Sequence, residues 1–315
     1  MGRYLRLAKE TTGYGIVDAS PNWVDVRCEA IEMLFDPNFT YHRTVEGGRF
    51  LQTAQSARQH SAGPLSLYPV YDKGLGEILH MLLGKVTTTT LEASVRFQHV
   101  FEPLNNISDA VKMPSYTAAK GLDDITEERY SGCGVSRLTI DANPGDFVKL
   151  TAQVFAKKPT TPTIAAGLSF SSLDYINAGQ VVTQQLSGVT TKFEALSFEI
   201  VGGAFPDFKP GSKEPDGIDL EAADIKVSFR SRFLIANDLT DFLNAAQKSL
   251  AYKWQGPALG SGNYSLQIDI PKMNFDEGDI RVNQHERLVQ ARRITALEDL
   301  NGLIKFTLVN NKASY

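Results

Sequence analysis

Two cysteines, no long apolar run and no basic domain are the main absences in this 315-residue sequence. Cys28 and Cys133 lie far apart and outside any Cys-x-x-Cys spacing, which speaks against a zinc ribbon or a disulfide staple and predicts free thiols in a reducing compartment. No apolar stretch approaches the roughly 18 residues of a membrane span. The opening MGRYLRLAKETTGYG has no apolar signal-peptide core, so neither secretion nor membrane insertion is expected. The formal charge is −4 and evenly spread, with 17 basic and 18 acidic residues in positions 1–158 and 15 and 18 in the remainder. The densest basic spots are only Lys157-Lys158 and Arg292-Arg293, which argues against a protein that grips nucleic acid.

Chemistry-bearing patterns are equally scarce. His42, His60, His80, His99 and His285 show no metal-pair spacing. His80 falls off the apolar stripe of its segment and reads as a surface or boundary residue, whereas His99 alternates with Phe97 and Phe101 and reads as core-side. The carboxylate pairs Asp123-Asp124 and Glu127-Glu128, and Asp276-Glu277 with Asp279, read as solvated turns beside glycine. The last group lacks calcium-loop spacing. No nucleophile elbow, P-loop or kinase set occurs. YDKGLGEILHMLLGK (71–85) has two glycines at dinucleotide-fingerprint spacing, but Leu79 stands where a third is required and no buried strand precedes it. No catalytic residue, cofactor or metal is therefore expected. GSGNYS (260–265) reads as a turn into a strand.

What is present is period-two alternation rich in Thr, Val, Phe and Tyr, punctuated by Gly, Pro and Asn, which predicts a mainly β protein. Strands are expected over 22–35, 91–102, 134–142, 146–156, 192–201, 224–235, 264–270, 287–298 and 303–311. Two segments have helical spacing. Leu75, Ile78, Leu79, Leu82 and Leu83 form one stripe, predicting a helix over about 72–84 with Asp72 as N-cap and Gly84 as stop. Leu239, Phe242, Leu243, Ala246 and Leu250 predict a second over about 238–251.

The halves share an order of elements: strand, long polar loop (36–48; 202–223), strand, amphipathic helix, strand, closing hairpin. The hairpins are expected to turn at Asn143-Pro144-Gly145 and at Asn301-Gly302. A duplication follows, 1–158 and 159–315, joined at the Pro- and Thr-rich KKPTTPTIAAG (157–167), each half a β domain with one helix and free to exchange strands with the other.

Several segments in succession then resemble a known family. GLGEILHMLLGKVTTTT, a strand ending in FQHVFEP, PSYTAAKG, YSGCGVSRLTIDANPGDFVKLTAQVFAKKP, NYSLQIDIPKMNFDEGD, ALEDLNGLIKFTLVNN and a terminal SY are together similar to the tail tube proteins, or major tail proteins, of phages with long non-contractile tails. The resemblance implies a tail-tube-type β-sandwich or partial barrel flanked by a helix. It implies subunits whose sheets join around a lumen, rings that stack into a tube, and DNA passing through without specific binding. A fused duplication implies trimeric rings that imitate six-fold symmetry, with a hexamer the alternative. The expected partners are the chain itself, a tape-measure protein, and neck and tail-tip proteins; no membrane is involved. The expected location is the virion tail, after synthesis in host bacterial cytoplasm. The two long loops are candidate ring-stacking arms, which nominates Asn38, Tyr41, Arg43, Glu46, Asp207, Lys209, Lys213, Glu214 and Asp216. The alternative is a carbohydrate-binding or adhesive β-sandwich module of a tail tip or cell surface. It would need an open aromatic face, and only Trp23 and Trp254 are available as tryptophans. A hydrolase on a β scaffold lacks any nominated nucleophile or acid pair.

Overall fold

The computed structural model describes residues 4–42, 53–105, 112–122, 125–162, 167–232, 244, 246–281, 289–298 and 302–315. Among them the protein is mainly β with one α-helix, and its principal strands form one antiparallel hydrogen-bonded system. Two long strands, β11 (Thr126–Ala142) and β20 (Gly262–Arg281), each serve two sheets and divide the system into three.

The N-terminal sheet runs β2 (Val24–Val26), β1 (Tyr4–Lys9), β10 (Tyr116–Leu122), then the first half of β11. The central sheet begins with β3 (Ala30–Ile31) and β4 (Leu34–Asp36), both on β7 (His60–Leu67). It continues through β12 (Lys149–Ala156), the second half of β11, β15 (Phe193–Val201), β18 (Asp224–Arg232) and β21 (Val289–Ala296) to the far half of β20. The C-terminal sheet runs β8 (Gly84–Glu92), β9 (Arg96–Pro103), β22 (Lys305–Asn310), the first half of β20, β19 (Lys248–Leu259), β13 (Val181–Leu186) and β14 (Val189–Thr190). The turn of β11 from one sheet into the next passes Gly132, at φ 66°, where an added Cβ would lie only 2.8 Å from the Tyr14 ring, which leaves no place for a side chain.

The alternation read from the sequence puts one face of strands such as β9, β15 and β22 inward, and aromatic residues concentrate there. Phe193 and Phe229 meet with ring centroids 4.7 Å apart, Tyr252 and Trp254 at 4.5 Å. Leu138, Ile140, Leu150, Phe198, Ile268 and Phe306 are fully buried in the same core, each side chain contributing about 1.5–3 kcal/mol.

The first helix forms as expected, α1 (Leu75–Leu83), and Gly84 ends it at φ 83°. Its start differs: Gly74 occupies the cap and Glu77 accepts the Gly74 N–H at 2.9 Å, where Asp72 was the expected cap. The helix is also not a flank. All of its residues are buried, His80 included, because the polar face is covered by the chain's last residues. Lys312 pairs with Glu77, and a side chain at Gly76 would strike the Tyr315 ring.

Other expectations are corrected by pairing. The strand foreseen over 22–35 is three short strands, since β2 joins β1 while β3 and β4 join β7. The strand foreseen from residue 91 is instead a hairpin, with the threonine run in β8 and the reversal at Ala93–Val95. The hairpin at Asn143–Gly145 forms. Of the expected turn at Asn301-Gly302, Asn301 lies outside the described residues, and the flanking strands β21 and β22 do not pair with each other but lie end to end against β20. Of the second expected helix, 238–243 and 245 lie outside the described residues, and Lys248–Ala251 is the start of β19. Glu127 is not in a solvated turn but fully buried in β11, and Asp276–Asp279 lie in β20. Asp123 and Asp124 lie outside the described residues. Trp254 belongs to the core.

Candidate assembly interface

The two long polar loops become two ribbons at one end of the central sheet. β4 and β7 run past that sheet and continue as β5 (Phe39–His42) and β6 (Thr53–Ser56), a two-stranded ribbon of its own. Asn38, at φ 43°, makes the bend, and the Ala57 N–H donates to its carbonyl. The second loop follows β15 through Gly203, at φ 69°, into a hairpin of β16 (Ala204–Asp207) and β17 (Gly217–Leu220). Its base is anchored, with Ala204 buried against Phe155 and Met113. It is therefore a rooted hairpin, not a loose arm.

The two ribbons touch. The Gln59 N–H donates to the Lys213 carbonyl at 2.7 Å, the Arg58 guanidinium lies 5.2 Å from the Phe208 ring centroid, and His60 meets the same ring edge-on. Of the nominated residues, Asn38, Tyr41, Lys209, Lys213 and Asp216 are exposed, while Asp207 and Glu214 are half-buried. Arg43 and Glu46 lie outside the described residues. Phe39, Arg58, His60 and Phe208 belong to the same surface. No local pattern marks them, because their place depends on which loops meet. Phe39 is 51% exposed and Tyr41 59%, high for large apolar side chains.

The opposite end of the central sheet, at the Asn143–Gly145 turn, carries an aromatic cluster. Tyr68, Phe147 and Tyr175 pack with ring centroids 5.7–6.1 Å apart, and Arg27 caps the Tyr175 ring. A depression of about 350 Å³ beside them is lined by Tyr68, Asp141, Asn143, Asp146, Phe147 and Lys149.

A third exposed feature is the edge of the C-terminal sheet. Among the described residues β8 pairs with β9 alone, and Thr87–Leu91 are exposed on both faces, so no core lies under this stretch. Val86–Leu91 carries no charge. At the other side of the sheet β13 is bordered by β14 at Gln185 and Leu186 and by the Thr191 N–H at the Gln184 carbonyl, with Val182 exposed.

The buried histidines His80 and His99 and the two cysteines have structural settings. Burial, aided by Lys9 and Lys312, pushes the His80 imidazole down to about 3, and its Nδ1 lies 2.9 Å from the Tyr116 hydroxyl. It is neutral at ordinary pH. His99 sits between Thr88, Asn310 and the Lys312 carbonyl. Burial raises the Cys28 thiol to about 11 and pushes Cys133 up further, so neither is a thiolate nucleophile near neutrality. Both are free. Among the described residues no cluster of three or more His, Cys, Asp or Glu is placed to hold a metal ion, and no helix is long and apolar enough to cross a membrane.

The arrangement offers adhesive edges and ends. No curated protein matched the chain. The model of the family described as phage tail tube protein matches residues 2–282, a span that includes both ribbons, the β8 edge and both sheet-bridging strands. On that match the chain belongs to the phage tail tube protein family.

Proposed function

We propose that copies of this chain join edge to edge into rings, and that the rings stack into the hollow tube through which phage DNA passes. Family membership makes the protein a structural component of a phage tail. The observation that carries the finer reading is β8, whose uncharged, largely β-branched Val86–Leu91 stretch has β9 as its one strand partner among the described residues and no core beneath Thr87–Leu91. Such an edge is an aggregation hazard in a monomer and a joining surface in an assembly. Pairing β8 of one copy with the open part of β13 in the next is a head-to-tail contact, which repeats around a ring and consumes both edges. The mildly acidic, unclustered charge suits a lumen that conducts DNA without holding it.

The reading includes two fused tube units, 1–158 and 159–315, so that three chains close a pseudo-six-fold ring. Its support is a repeated meander. β10 and β12 flank the two halves of β11 as β19 and β21 flank those of β20. Strands also pair across the boundary, β9 with β22 and β11 with β15. A tape-measure protein would occupy the lumen during assembly in the host cytoplasm, with neck and tail-tip proteins at the ends. The adhesive-module alternative gains no platform from the tryptophans, since Trp254 is buried and Trp23 lies half-buried beneath Arg129.

The test is to place charges on the edge. Thr87→Lys with Thr89→Lys touches only exposed side chains, so stability should change by no more than about 0.5 kcal/mol per site. Sedimentation should show subunits that remain folded and no longer assemble. Normal assembly of this variant would refute edge closure.

A further inference from the structure

We propose that the aromatic and acidic end of the central sheet is the receptor for the two ribbons of a second copy of this chain, one ring away. The inference rests on the tube reading and names the contact that stacks its rings.

The ribbons and the aromatic cluster lie at opposite ends of the same sheet. Register fixes this: Gly134 faces Phe155 and Ser61 faces Ala156 at the ribbon end, whereas Asp141 faces Lys149 and Leu67 faces Leu150 at the cluster end. A contact joining opposite ends of identical subunits is heterologous and does not close when repeated along the sheet direction, so it builds an open stack.

The two ends are also complementary in chemistry. The hairpin tip 208–216 carries the exposed cations Lys209 and Lys213, with Arg58 beside it, while its carboxylates, the half-buried Glu214 and the exposed Asp216, lie on the return arm. The receptor depression carries Asp141 and Asp146, and its one cation, Lys149, is paired with Glu29 at 2.7 Å. Asp141 is held in place by the Ser197 hydroxyl at 2.5 Å, whereas Asp146 is exposed. Phe39 and Tyr41 on the first ribbon match the half-exposed rings of the receptor, where Phe147 is 50% exposed. Aromatic pairs and opposed charges of this kind specify orientation as well as adhesion.

Charge reversal tests the pairing in the full chain. Asp146→Lys alone and Lys213→Glu alone should each raise the protein concentration needed for tube formation by about tenfold. Both side chains are exposed, so thermal unfolding should be unchanged. The two substitutions in one chain recreate an opposite-charge pair and should restore assembly. Undiminished assembly of both single variants would overturn the docking while leaving the tube reading intact. Impaired single variants without rescue would overturn the direct pairing. A wild-type protein that forms neither rings nor tubes would refute the tube reading, and this inference with it.

Discussion

His80 shows how far a residue's setting can depart from its place on a helical wheel. Off the apolar stripe, it should face solvent, yet it is 4% exposed because Tyr116 and the terminal segment around Lys312 and Tyr315 close over that face. No local pattern around residue 80 encodes a cover supplied by residues more than two hundred positions away. The consequence is a pH dependence whose sign can be worked out. The folded state holds the imidazole well below its ordinary value of 6.5, at about 3, chiefly by burial and secondarily through Lys9 and Lys312. The unfolded chain therefore binds the proton more readily, so the stability is present above about pH 6.5 and is lost as pH falls toward 3. At about pH 5 this site accounts for about 2 kcal/mol of acid destabilisation. His80→Gln should flatten the fall of the melting temperature between neutral and mildly acidic pH, whatever its effect at neutrality. An acid limb of unchanged slope would contradict the assignment. Glu127 makes the same point with opposite chemistry: a carboxylate in an apparent turn motif is fully buried, accepting from the Tyr4 hydroxyl at 2.6 Å and the Arg129 Nε at 2.7 Å.

Among elements, those with local signals were legible. Asn143-Pro144-Gly145 specifies a reversal in three residues, and the β11–β12 hairpin forms there. The 75–83 stripe and Gly84 gave α1 and its stop. Asn301-Gly302 carries an equally good local signal, but β21 and β22 are held in line along β20 by register with a strand neither adjoins in sequence. Period-two alternation shows that a strand is half-buried; it does not name the partner. The same limit applies to the candidate site. The lengths of 36–48 and 202–223 marked them as unusual, but nothing in either shows that Gln59 would bond Lys213 or that Arg58 would cap Phe208. The hairpin's rooted base refines what can be removed. Deleting all of 202–223 would expose Phe155 and Met113, so the informative change replaces only the tip, 208–216, with a two-residue turn. That variant should keep the wild-type melting temperature to within a few degrees and lose the ability to stack, read by sedimentation. Normal tubes without the tip would contradict its role.

At the scale of the whole molecule, edges and ends define a subunit more than pockets do. Two strands bridge three sheets into one body, which buries a continuous core and, among the described residues, leaves β8 and part of β13 open. The ribbon end and the aromatic end project from opposite limits of the central sheet. In the proposed tube the lateral edges would close a ring and the axial ends would stack it, the two kinds of contact a tube requires. The central claim is tested most directly by electron microscopy of the purified protein over a concentration series, with averaging of end-on views. A tube subunit built from two fused units predicts hollow rings with three chains each, in stacks that lengthen with concentration. Monodisperse single particles at every concentration would contradict the tube, and rings of six chains would contradict the fusion.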